Sequence, residues 1–137
     1  MVAGCTPQRF HSALAVYNSG YNYSDTETVV FLRKDLDFDK AFNEVVFALN
    51  RNGFEIEEMQ PQAGYIRSKW SSLGNEVYRV AHYYKVRAIC NFNPDRTKLV
   101  INAEAQYKPS LFDSYRRGSD SIVPEILRKD INMVIGN

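Results

Sequence analysis

Seven residues in this chain are of types and at spacings that do chemistry on anions. Tyr65, Arg67 and Lys69 stand at alternate positions, and Arg79, Tyr83, Lys85 and Arg87 repeat the same parity further on. Cations interleaved with phenol rings are what phosphate contact plus base stacking require. Glu55, Glu57 and Glu104 fall on the same side by parity, so cross-strand ion pairing on a solvated sheet explains the pattern without any ligand. That plainer reading ranks first, contact with a protein or an anionic lipid second, and nucleic acid last. The net charge of +1, from 17 basic and 16 acidic side chains, also disfavours a dedicated polyanion binder, which carries a clear basic excess.

The other reactive residue types lack the company that catalysis needs. His82 interrupts an apolar alternation with no carboxylate or cysteine at an informative spacing, which fits a hydrogen-bonded structural imidazole better than a general base. Cys90 falls on an apolar strand face, where a thiol behaves as a small hydrophobe. Asp35, Asp37 and Asp39 alternate, but without the glycine and final glutamate of a calcium loop they read as capping residues at a helix start. Ser119-Asp120-Ser121 lacks the glycines around a nucleophilic serine, and no phosphate-binding glycine loop occurs. Two cysteines, Cys5 and Cys90, and two histidines, His11 and His82, make neither a disulfide framework nor a metal cluster. The expectation is a protein without enzymatic activity, cofactor or metal.

The elements that must position these residues follow from periodicity. A chain of 137 residues, 45% apolar and 24% charged, is the size and composition of one folded domain. Residues 28–32 are β-branched and apolar and predict a strand. Asp37 is the expected N-cap of a helix over 38–51, in which Phe38, Ala41, Phe42, Val45, Val46 and Leu49 share one side and Gly53 ends the element. Residues 54–59 predict a second strand, with Phe54, Ile56 and Glu58 on one face and Glu55, Glu57 and Met59 on the other. Residues 64–70 predict a third, with Ile66 and Trp70 inward and Tyr65, Arg67 and Lys69 outward. A long fourth strand is expected over 76–91, a hairpin turn at Asn93-Pro94-Asp95-Arg96 and a fifth strand over 99–107. Residues 108–118 read as a loop, after which Ser119 or Asp120 caps a last helix whose stripe is Ile122, Val123, Ile126, Leu127, Ile131, Val134 and Ile135. The expected class is α+β in the order β-α-β-β-β-β-α, an antiparallel sheet with two helices on one face. If the sheet and long helix leave a pocket between them, Phe42, Val46, Tyr78 and Tyr84 are its expected lining, for a small apolar or anionic ligand.

Two resemblances add to this. Val2-Ala3-Gly4-Cys5 resembles a bacterial lipobox, in which an aliphatic and two small residues precede the cysteine that receives the lipid. The resemblance implies lipidation at Cys5 and a membrane anchor, with residues 1–27 as lipobox and polar tether and 28–137 as the domain. A charged start and an apolar stretch would then be encoded upstream of Met1. The element order, with the Phe42-to-Gly53 helix running into Phe54-Glu-Ile and the Gly64-Tyr-Ile strand ending at Trp70, is similar to the helix-grip domains of small envelope lipoproteins, including the third lipoprotein of the outer-membrane barrel-assembly machine. That implies a scaffolding or protein-interaction module at a bacterial membrane, facing the periplasm, with another envelope protein as partner, bound through the exposed sheet face or the loop from Lys108 to Gly118. The same order occurs in half of the TATA-box-binding saddle, so the fold alone does not choose a function.

Overall fold

In a computed structural model of the chain, which describes residues 28–71, 84–108, 112 and 114–137, the spacing after Asp37 becomes a helix, α1, over Phe38–Arg51. Ala41, Phe42, Val45, Ala48 and Leu49 form its buried stripe. Its end is a Schellman motif. Gly53 takes φ 88°, its N–H donates to Asn50 O at 3.1 Å, and the Phe54 N–H donates to Leu49 O at 2.9 Å. Asp37 is the N-cap residue, as the sequence predicts, with its carbonyl oxygen accepting the Ala41 N–H at 3.0 Å and no capping hydrogen bond from its side chain.

The strands are β1 (Thr28–Phe31), β2 (Ile56–Gln60), β3 (Tyr65–Ser68), β4 (Tyr84–Phe92), β5 (Lys98–Tyr107) and β6 (Arg116–Ser119), and the second helix, α2, spans Ile122–Ile135. They make an antiparallel sheet ordered β1-β5-β4-β3-β2, so the α+β class and the element order read from the sequence are those of the protein. One strand is additional. β6, within the stretch expected to be a loop, pairs with residues 104–107 of β5, on the edge whose other half, 98–101, pairs with β1. Its sequence, Arg-Arg-Gly-Ser, has no strand propensity of its own, so the pairing is imposed by β5 and by the helix start that follows.

One face of the sheet is dry. Tyr84, Val86, Ala88, Cys90 and Phe92 of β4 and Leu99, Ile101, Ala103 and Ala105 of β5 alternate into a single cluster with the stripes of both helices. Asp130 ties the helices together, receiving Arg51 Nη2 at 3.0 Å and Asn52 Nδ2 at 2.9 Å. A short 3-10 turn, Pro61–Ala63, leads to Gly64, whose φ of +67° and closeness to Phe92 leave no room for a side chain: a Cβ there would lie 2.9 Å from Phe92 Cβ. Among the described residues, no helix lies on the far face of the sheet.

Asp120 organises the end of the sheet nearest β6. Only 2% exposed, it accepts the Ile122 and Val123 N–H groups at 2.7 and 2.9 Å, capping α2 as one of the two residues expected to do so. It also accepts the Tyr84 hydroxyl, and its own N–H donates to Ala103 O at 3.0 Å. One residue thus joins β4 and α2 through its carboxylate and β5 through its backbone, at the end of β6.

Candidate functional site

The candidate site is the helix-free face, and it starts from register. β4 and β5 set Arg87 opposite Glu104 and Lys85 opposite Gln106. Arg87 Nε and Nη2 both donate to Glu104 Oε1 at 2.7 Å, and its Nη1 lies 3.9 Å from Glu57. Arg67 is 3.2 Å from Glu57 and 3.1 Å from Glu58, and Lys69 is 3.8 Å from Glu55. Burial draws the Arg67 guanidinium downward, but Tyr65, Glu57 and Glu58 outweigh it and hold the group above its ordinary value. The acidic residues that parity placed on this face therefore do pair with its cations.

Two bulges build the rest, and each corrects a side assignment. Ile56 faces Ser68 and Glu58 faces Arg67, so β2 carries one residue more than β3 over this stretch. The extra residue brings Glu57 and Glu58 to the same guanidinium, and Glu58 is not on the inner face. Similarly, Arg67 faces Ile89 whereas Ser71 bridges Val86, leaving an additional residue on the β3 side. The buried Ser68 hydroxyl fills the irregularity, accepting the Ala88 N–H at 2.9 Å and donating to Lys69 O at 2.9 Å. Beyond this point the alternation is inverted. Trp70, expected in the core, lies on the open face with Arg87 Cζ 4.6 Å from its ring centroid and Lys85 Nζ 5.4 Å away.

Toward β6 the face changes character. Lys85 Nζ also lies 4.4 Å from the Tyr115 ring, and Lys108 Nζ 4.7 Å from it. Arg116 and Arg117 are exposed. Among the described residues, no carboxylate lies within ion-pairing distance of Lys85, Arg116 or Arg117. A cleft of about 270 Å³ opens between the two regions, lined by Trp70, Arg87, Glu104, Ala105, Gln106, Arg117 and Gly118.

Of the predicted face, Tyr65, Arg67, Lys69, Lys85 and Arg87 are placed together, while Arg79 and Tyr83 lie outside the described residues, as do His82, Tyr78, Cys5 and the tether 1–27. Tyr115 and Arg117 enter the site from the 108–118 stretch that offered the alternative partner surface; Arg117, opposite Gln106, shares the open face, whereas Arg116, opposite position 107, alternates to the other side. Trp70 belongs to the site without having been predicted in it. Of the lining expected for a pocket between sheet and helix, Tyr78 lies outside the described residues, and Phe42 and Tyr84 are not brought together. Phe42 packs with Phe38 and Phe92 at 6.0 and 6.2 Å between centroids, and the half-buried Val46 lies against the same core. Tyr84 is bonded to Asp120 eight residues up β4 from Phe92, roughly 26 Å away at the rise of a strand.

The reactive groups elsewhere are occupied. Burial pushes the Cys90 thiol up to about 12, which removes its thiolate at neutral pH. Among the described residues no three His, Cys, Asp or Glu side chains are grouped to hold a metal ion, and no helix is long and apolar enough to cross a membrane. No family model matches the chain, and no curated protein or solved structure was found to be similar to it.

Proposed function

We propose that the protein is a non-enzymatic binding module of a bacterial envelope, held at the membrane through a lipid on Cys5 and contacting another envelope protein with the open face of its sheet. The observation that supports this reading most is the asymmetry of the sheet. Both helices serve the dry face, whereas the other presents Trp70, Tyr115 and several cations around a cleft. Aromatic rings and arginines are the side chains that most often anchor protein interfaces. The lipobox-like Val2-Ala3-Gly4-Cys5 and the helix-grip-like element order support the envelope setting.

The anchor is tested by expressing the chain behind its genomic upstream sequence in bacteria fed labelled palmitate. Label in the membrane-fraction protein that disappears in Cys5→Ser is the expected result. Label that survives the substitution, or no label at all, overturns the anchor.

A further inference from the structure

The open face divides electrostatically, and the division says what a partner should carry. On its β2–β3 side the guanidiniums are already matched by the protein's own carboxylates, Arg67 by Glu57 and Glu58, Arg87 by Glu104. An anion arriving there would have to displace an internal partner. On its β6 side, Lys85 and Arg117 have no carboxylate partner among the described residues, so an incoming anion has no described internal partner to displace. Lys85 is also held in place, its ammonium set against the rings of Trp70 and Tyr115 rather than free to rotate in solvent. A cation fixed before binding loses less side-chain entropy on binding.

Resting on the partner-binding reading above, we infer that this end of the sheet takes an acidic, extended segment of a partner protein, its carboxylates on Lys85 and Arg117 and one apolar side chain in the cleft beside Trp70. The cleft, at about 270 Å³, is below the roughly 300–1,000 Å³ of small-molecule sites, and so has room for a side chain rather than a cofactor. Its walls offer polar groups suited to a peptide, the Gln106 amide and the backbone at Gly118, which has no side chain to cover it. A bilayer is a poorer match, because a recessed polar cleft cannot enter it. A long polyanion tracking the sheet would run past the cleft onto Glu57 and Glu58, where like charge repels it; a short acidic segment stops before them.

The test uses the full chain and the fluorescence of Trp70, the single tryptophan. The probes are a hexapeptide of alternating Asp and Phe, the same peptide with Asn for Asp, phosphatidylglycerol vesicles and a single-stranded oligonucleotide. The acidic peptide is expected to bind and to weaken as salt rises, with Lys85→Gln and Arg117→Gln each lowering affinity about threefold, as for exposed ion pairs. Arg33→Gln, an exposed cation beyond β1, should leave it unchanged, and unaltered urea midpoints show that the variants remain folded. Equal binding of the Asn peptide, or undiminished binding by the double variant, overturns the inference. Binding of vesicles or oligonucleotide without the peptide assigns the patch to those ligands and overturns it equally. If the peptide fails while a partner still cross-links at Tyr115, only the partner's chemistry is wrong; if both fail, the binding reading falls with it.

Discussion

Replacing Asp120 should cost far more than its position in a loop implies, and the cost can be worked bond by bond. Asp120→Ala removes the acceptor for two α2 N–H groups, a loss typical of an N-cap at about 1 kcal/mol. It also takes the charged acceptor from the buried Tyr84 hydroxyl, about 2 kcal/mol for a hydrogen bond to an ionised group inside the protein. The sum, about 3 kcal/mol, is a large share of the ~5–15 kcal/mol by which domains are stable. Asp120→Asn keeps an oxygen for the cap and should lose about 1 kcal/mol. Tyr84→Phe should lose about 1–2 kcal/mol, and the double variant less than the sum, with about 1 kcal/mol of coupling. Urea unfolding followed by far-UV circular dichroism measures all four. An Asp120→Ala loss below about 1 kcal/mol, or strict additivity with Tyr84→Phe, would refute the account of how β4, β6 and α2 are joined.

Three further outcomes are expected. Gly64→Ala should destabilise by about 2–4 kcal/mol in the same assay, since it combines a left-handed backbone with overpacking against Phe92. In a Cys5→Ser background, native protein should be inert to a thiol reagent at neutral pH and should label fully in guanidinium chloride. Because folding raises the Cys90 value, its contribution to stability is full below the ordinary thiol value of about 8.5 and is lost as pH rises toward about 12, which urea midpoints across alkaline pH will follow. Glu125 runs the other way. Its hydrogen bond from Arg128 holds its carboxyl below the usual range, so Glu125→Gln should lower the urea midpoint near neutral pH, with the difference vanishing as acid protonates the wild-type carboxyl.

Where local chemistry decides structure, the chain was legible. Helix α1 has the bounds that its apolar spacing and Gly53 imply, and the β4–β5 hairpin turns where Asn93-Pro94 announces it, with Asn93 Oδ1 accepting from the Thr97 and Lys98 N–H groups at 2.8 and 3.0 Å. The core-facing set of β4 and β5 follows from strict alternation. What escaped is set by pairing between distant segments. A bulge is one residue more on one strand than on its neighbour, invisible in either strand alone, yet two of them bring Glu58 to Arg67 and turn Trp70 outward. β6 escaped for the same reason: Arg116–Ser119 forms a strand because β5 offers it an edge and Asp120 fixes its end. The cation-rich face was readable as a list of residues. Its division into a half whose arginines meet Glu57, Glu58 and Glu104 and a half where Lys85 and Arg117 have no carboxylate partner among the described residues needed the register.

The most direct test of the central claim is photo-cross-linking in cells from two faces of the full chain. A photoactivatable phenylalanine analogue is placed at Tyr115 or Tyr65 on the open sheet face and, in parallel, at Asn43 or Lys129 on the exposed sides of the helices. The account predicts one discrete membrane-fraction adduct from the sheet positions, weakened by the Lys85 and Arg117 substitutions, and none from the helix positions. Adducts confined to the helix positions, or none from the sheet, would contradict it.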